Sequence, residues 1–174
     1  GLAGGALLML PLPWRVRGLC TTLLLPLLWP FVGRPADGRF ELVAADVGQG
    51  TAVLVRTHAH LLLFDTGPRF GDDNDAGRRM LLPLMQARGE PRVDVLMLSH
   101  RDADHTGGAA AVLAQQPGAE LTGSIEADHG LQALRPARPC LAGQRWEWDG
   151  VAFEVLHPLA GDGAPATRPP RPNT

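Results

Sequence analysis

The sequence predicts a single α/β domain preceded by an apolar segment, and three observations carry that reading. Between Phe40 and Asp65, short apolar runs of strand length are separated by turn residues. Further on, strand-like and helix-like patterns alternate, as in layered α/β folds. Residues 1–33 contain no acidic group and differ in character from everything after them. With 174 residues and 18.5 kDa, the chain fits one globular domain plus an extra segment, and its 45% hydrophobic content is ample for a core.

The elements come in this order. Two apolar runs, GLAGGALLMLPLP (1–13) and LCTTLLLPLLWPFV (19–32), flank Arg15 and Arg17, the only charges before Arg34. The second run is shorter than the roughly 20 residues an average bilayer span requires. Pro26 and Pro30 would also disturb a helix there. Length alone therefore leaves a buried core helix, an interfacial segment and a signal-peptide core open. Arg15 and Arg17 favour a cytoplasmic loop, which would send the domain after Val32 to the other side of the membrane, but Arg34 and Arg39 on the far flank offset most of that bias.

RPADGR (34–39) reads as a linker. FELVAADV (40–47), TAVLVR (51–56) and HLLLFD (60–65) read as three meandering strands, the first ended by GQG and the third apolar throughout. TGPRFGDDND (66–75) reads as a polar loop. From it Asp75 would cap a helix to Arg88, with Met80, Leu81, Leu84 and Met85 on one face, Pro83 as an interruption and Gly89 as the stop. VDVLMLS (93–99) is the next strand and GGAAAVLAQQ (107–116) the next helix, which stops before Pro117-Gly118. A short strand near ELTGS (120–124) and an indistinct loop precede a hairpin, QRWEWDGVAFEVL (144–156), turning at Asp149-Gly150. The tail after Ala160 is Pro-rich and reads as a loop cut partway, and no internal repeat is visible.

Composition excludes several functions. All 16 basic residues are arginine, and the net charge of −2 gives no electrostatic preference for nucleic acid. The arginines accompany 21 Gly and 16 Pro, a compositional bias rather than a functional signal. Cys20 and Cys140 lie far apart, so no disulfide framework is indicated.

The chemistry concentrates in SHRDADHTGG (99–108), at the C-terminal end of a predicted strand, where side chains converge in α/β layouts. His100, Asp102 and Asp104 occupy alternate positions, which an extended loop would point the same way. His105 could turn in at the start of the following helix, and Gly107 and Gly108 permit close backbone approach. Carboxylates and imidazoles packed this tightly repel one another unless a cation sits among them. A divalent metal pair resolves the repulsion and lowers the pKa of water to near neutrality. The competing reading is an Asp-rich capping loop carrying two surface histidines.

SHRDADHTGG resembles the metal-binding signature of the metallo-β-lactamase superfamily, with Asp102 where many members carry a second His. DVGQG (46–50), LLLFDTGPR (61–69), DAGRRMLLPLMQARG (75–89) and VDVLMLSHRDADHTGG (93–108), in this order, resemble the C-terminal domain of the ComEC family of competence-associated membrane proteins for DNA uptake. The resemblance implies an αββα sandwich with the metal site at the sheet edges, of which residues 40–174 would form the N-terminal half to two-thirds. It implies that about 19–33 is the last transmembrane helix of a longer protein in the bacterial inner membrane, that 1–13 ends the preceding helix, and that the soluble domain lies on the extracytoplasmic side.

Residue by residue, the resemblance maps His100, Asp102, Asp104 and His105 onto the metal-binding turn, with Asp104 the catalytic member. Asp46 and Gln49 map onto a loop beside the pocket, and Asp65 onto a structural turn near it. It implies two divalent ions (Mn or Zn, with Mg also open), single-stranded DNA as partner alongside the membrane and other uptake machinery, and hydrolysis of phosphodiesters in the strand that is not imported. Asp102 in place of imidazole makes the first site harder, favouring Mn²⁺ or Mg²⁺ over Zn²⁺. Family members continue with a Gly-Asp turn that supplies a bridging carboxylate and a His-His-Gly-Ser-type segment; no such segment occurs before Thr174, and Gly161-Asp162, in a Pro-rich loop, is a poor substitute for the turn. Residues 1–174 are thus expected to hold about half a binuclear site, to bind divalent metal weakly and to hydrolyse nothing alone. Two rival functions are a hydrolase of this fold acting on a small phosphoester and a membrane-attached domain that guides DNA without catalysis.

Elsewhere, His58 and His60 read as hairpin residues, and His129 lies in an uninformative loop. His157 ends the last strand and could approach the site. Arg78 and Arg79 read as solvated helix arginines, with a phosphate contact conceivable. Trp146 and Trp148 read as a packing stripe or partner interface, with base stacking unsupported. Asp72, Asp73 and Asp75 lack the spacing of a calcium loop.

Overall fold

A computed structural model describes residues 9–11, 13–22 and 33–159, which belong to two units, Gly1–Gly33 and Arg34–Thr174. In the first unit, α1 (Trp14–Thr22) starts directly after Pro13, whose carbonyl accepts the Val16 N–H at 2.9 Å. The sequence placed Arg15 and Arg17 in a loop between apolar runs; they lie within α1 instead. Nothing between Trp14 and Arg17 breaks a helix, and the lone Gly18 costs only about 1 kcal/mol there. Among the described residues no helix is long and apolar enough to cross a membrane. The span expected at about 19–33 falls mostly on residues outside those described, as do most of the 1–13 run and the Pro-rich tail.

The second unit is built on a six-stranded mixed sheet in the order β1-β2-β3-β6-β7-β8. Strands β1 (Glu41–Ala44), β2 (Val53–Arg56) and β3 (Leu61–Phe64) form the antiparallel meander; β6 (Val95–Leu98), β7 (Glu120–Gly123) and β8 (Arg138–Pro139) run parallel to β3. Register aligns Leu54 with Leu63, Leu63 with Leu96, and Leu96 with Leu121, so one row of leucines crosses four strands. All four are at most 2% exposed, and each contributes about 1.5–3 kcal/mol by burial.

That row faces a helical layer. A π-helical turn (Gly77–Leu81) runs into α2 (Leu82–Ala87), and α3 (Ala103–Thr106) is followed by α4 (Ala109–Gln115). Leu81, Met85, Val112 and Leu113 complete the core. Pro83 lies inside one continuous helical run and is absorbed by the π turn before it: the Leu82 N–H already reaches back to Gly77 O, so the helix is widened just ahead of the residue that has no N–H to give. Gly89, at φ 65°, ends α2 as a Schellman motif: its N–H goes to Gln86 O at 3.0 Å and that of Glu90 to Met85 O at 2.9 Å.

Two segments differ from expectation. The polar loop 66–75 contains a small hairpin, β4 (Arg69–Gly71) with β5 (Asn74–Asp75), and the indistinct loop contains α5 (Leu131–Leu134) and β8. Both hairpin strands are too short for apolar alternation to register.

On the sheet's other face, Leu42, Val53, Val55, Leu62, Phe64 and Met97 look across a cleft of about 820 Å³ at the hairpin β9 (Arg145–Trp148) and β10 (Val151–Glu154). Asp149 and Gly150 turn this hairpin with φ of 51° and 76°, the signature of a type I′ turn. The layers are thus helices, a mixed sheet and, among the described residues, one two-stranded ribbon where the expected sandwich has its second sheet.

Candidate metal centre

The chain leaves the sheet at Ser99, immediately after β6. Asp102 is extended (φ −64°, ψ 145°) and its carbonyl accepts the N–H groups of His105 and Thr106, both at 3.0 Å. Helix α3 therefore starts at Ala103. The expectation of an extended loop with positions 100, 102 and 104 aligned is corrected: Asp104 and His105 stand on a helical turn. Gly107 and Gly108 close the motif because a Cβ at either would strike backbone, that of Pro68 and Arg69 or that of Gly77.

Beneath the turn lies Asp65. It is fully buried, at φ 56°, in the left-handed conformation that Asp tolerates better than most residues. Its Oδ1 accepts the Ser99 N–H at 2.8 Å. Its Oδ2 accepts the Ser99 hydroxyl at 2.8 Å and lies 2.7 Å from His105 Nδ1. An ionised carboxylate only accepts, so His105 carries its proton on Nδ1 and turns the lone pair of Nε2 outward. Nε2 of His105 lies 3.7 Å from Asp104 Oδ2, and Nε2 of His100 lies 3.4 Å from Asp102 Oδ2. The two imidazole centroids are 4.0 Å apart. Asp102 and Asp104 are 67% and 41% exposed, so the side of the turn that bears the nitrogens faces solvent.

The loop that carries the remaining expected pocket residues, Asp46 and Gln49, meets the turn through the backbone of their neighbours Gly50 and Thr51. Thr51 N–H donates to Asp104 O at 3.3 Å, and the Gly50 Cα packs against that same carbonyl. Asp46 turns back on its own loop, taking the Gly48 N–H at 3.2 Å, and Gln49 is exposed. Thr66 clamps the turn from below: its N–H and hydroxyl both donate to His105 O, at 2.8 and 2.9 Å.

The donor set, imidazole nitrogen with carboxylate oxygen, suits borderline to hard divalent ions. Nε2 of His105 faces a carboxylate, acceptor against acceptor, an arrangement a cation would relieve. The donors stand in two pairs, and among the described residues no group of three or more His, Cys, Asp or Glu side chains is drawn together to hold a metal ion.

The other candidates have structural partners. His58 Nδ1 meets Pro35 O at 3.0 Å, and His129 Nδ1 accepts the Leu131 N–H at 3.2 Å. His60 stacks on Trp148 at 4.9 Å and meets Asp149 at 3.1 Å. Asp149 also accepts the Thr57 hydroxyl at 2.6 Å and the Ala59 N–H at 2.7 Å. These bonds, with Thr57 foremost, hold its carboxyl well below the usual carboxylate range. Arg78 pairs with Asp73 and Asp75 and Arg79 reaches Asn74, while Asp72 pairs with Arg69. Trp146 stacks on Phe153 at 5.0 Å and meets Trp148 edge-on, a packing stripe. His157 lines the cleft under the hairpin together with His100. Sequence reasoning passed over Ser99, which bonds to three of these polar groups; a hydroxyl directly before His100 was the signal available.

Residues 45–164 match the Metallo-beta-lactamase superfamily (Lactamase_B). The chain is 40% identical over 165 residues to Competence protein ComA of Neisseria gonorrhoeae, a match covering 85% of this chain and 22% of that protein. It is 29% identical over 150 residues to Uncharacterized protein YcaI of Escherichia coli K12 (85% and 19%) and 34% identical over 140 residues to Recombination protein 2 of Haemophilus influenzae (80% and 16%). It thus spans about a fifth of the length of these relatives, and the competence and recombination names of the first and third agree with the resemblance carried by the four ordered motifs. The family match covers most of the chain, from the start of the DVGQG loop through the β9–β10 hairpin, and the chain belongs to the metallo-β-lactamase superfamily.

Proposed function

We propose that this domain is the metal-dependent hydrolase module of a ComEC-like competence protein, acting on phosphodiesters of the DNA strand that is not imported. The observation supporting this reading is the pair of imidazoles at the end of β6, each with Nδ1 engaged below and Nε2 directed at an acidic side chain. Bound divalent ions would lower the pKa of a water molecule and polarise a phosphoryl oxygen. His100 and Asp102 would hold one ion and Asp104 and His105 would contribute to the second, with Mn²⁺ or Mg²⁺ favoured by the carboxylate at 102. Asp104 would also orient the attacking water. Asp65 supports the imidazoles from below, and the loop bearing Asp46 and Gln49 borders the turn through Gly50 and Thr51. The module would sit at the plasma membrane with single-stranded DNA as its substrate.

The pairwise rather than triple grouping of donors favours one alternative, a domain that guides DNA without cutting it. Full-length protein incubated with single-stranded DNA and Mn²⁺ separates the two. Metal-dependent cleavage that disappears in Asp104→Ala is expected, and DNA binding without cleavage in the unmodified protein would decide for the guide.

A further inference from the structure

Ser99 lies 2.8 Å from Asp65 Oδ2, 2.8 Å from His100 Nδ1 and 3.3 Å from His105 Nδ1, all through a single oxygen. A hydroxyl has one proton to donate. At 2.8 Å from a carboxylate oxygen there must be a hydrogen between the two, and the carboxylate has none, so the serine proton goes to Asp65. Oγ is then left only as an acceptor, and the hydrogen between it and His100 has to come from the ring. A neutral His100 is thereby fixed as the Nδ1–H tautomer, the less populated one in free histidine, which leaves Nε2 unprotonated beside Asp102. Asp65 fixes His105 in the same tautomer directly. The relay runs His100 Nδ1–H to Ser99 Oγ, Ser99 O–H to Asp65 Oδ2, and His105 Nδ1–H to the same Oδ2.

We propose that Ser99 is a positioning residue that sets the tautomer of His100 and so prepares its Nε2 as a ligand. This deepens the metal reading of the turn and rests on it. The anchorage is rigid: the Ser99 N–H is itself held by Asp65 Oδ1 at 2.8 Å, and the Asp65 side chain is 1% exposed. No other described contact reaches His100 Nδ1 with a competing donor.

The test is imidazole ¹⁵N NMR of the metal-free chain at about pH 8, above the ordinary histidine pKa of about 6.5, with His100→Gln and His105→Gln used for assignment. Wild type is expected to show Nδ1–H at both rings. Ser99→Ala is expected to move His100 to the Nε2–H form while leaving His105, held by Asp65, unchanged; Ser99→Thr, which restores the hydroxyl, should return His100 to Nδ1–H. A general loosening of the fold would move both rings and would not be rescued. Mn²⁺ affinity of the same proteins, read by paramagnetic broadening, should fall about 10-fold or more in Ser99→Ala. His100 found as Nε2–H in the wild type overturns the proposal without any variant. The NMR pattern as expected with no Mn²⁺ bound by wild type would uphold the positioning role and reject the metal reading. Equal Mn²⁺ affinity and unchanged tautomers in Ser99→Ala would uphold the metal reading and reject the role of Ser99.

Discussion

Replacing Asp65 by Ala removes the group on which the candidate centre rests. Three hydrogen bonds vanish together: from the Ser99 N–H, the Ser99 hydroxyl and His105 Nδ1. Bonds to a charged group are worth about 1.5–3 kcal/mol each, and the donors left behind lie in a part-buried site. Alanine at φ 56° adds about 1 kcal/mol of backbone strain. Water entering the gap recovers part of this, leaving a loss of about 4 kcal/mol or more. Against a total of about 5–15 kcal/mol for a domain, that removes between about a quarter and most of the folding free energy. Asp65→Asn is the controlled comparison. Asn tolerates the left-handed conformation and keeps an oxygen for the Ser99 N–H, but sets an amide N–H₂ against His105 Nδ1. Its cost should be about 1.5–3 kcal/mol, and His105 should shift its proton to Nε2 to accept the new donor. Urea denaturation followed by circular dichroism reads both. With a slope of about 1–3 kcal/mol per molar, Asn should lower the midpoint by about 1 M and Ala by about 2 M or more. An Ala variant within about 1 kcal/mol of wild type would refute the reasoning, since it would mean the buried carboxylate is replaceable by water.

Other perturbations probe the scaffold. Arg56 and Glu90 form an ion pair at 2.6 Å with both side chains only 3% exposed, and Glu41 lies 3.8 Å from Arg56 on the rim. Glu90→Ala takes the nearer carboxylate from the buried guanidinium and should cost about 3–5 kcal/mol, whereas Arg56→Met with Glu90→Leu should stay near wild type; comparable losses in the single and double variants would contradict this. Asp149 has its carboxyl depressed by the Thr57, Ala59 and His60 bonds, so its contribution is full above the ordinary carboxylate value of 3.8 and is lost as pH falls through the lower folded value. A side-chain ¹³C titration should find Asp149 still ionised at about pH 3, and Asp149→Asn, which keeps the type I′ turn, should flatten acid-induced destabilisation in that window. A titration midpoint at or above the ordinary value would show that these bonds do not favour the ionised form.

Local chemistry made much of this protein legible from its residues alone. Asp149-Gly150 and Gly89 announce their turns because few residues accept a positive φ, and both occupy such conformations. The apolar runs of β2, β3, β6 and β7 mark strands because burial on a pleated surface demands them, and the S-H-x-D-x-D-H-x-G-G cluster marks the turn. Its helical start at Ala103 escaped that reading, since carboxylates in an extended loop and at a helix entrance look alike until the backbone is seen. What only the tertiary structure decided are partnerships between distant residues. Asp65 meets Ser99 and His105 across 34 and 40 positions of sequence because β3 pairs in parallel with β6, Phe64 beside Met97, and the Asp65 N–H continues the ladder to Met97 O at 2.8 Å. Arg56 meets Glu90 because the Schellman turn after α2 brings the carboxylate back over the end of β2. No local window contains these pairs. Hydrogen bonding and charge pairing act over a few ångströms of space, and it is the register of the sheet that turns separation along the chain into contact.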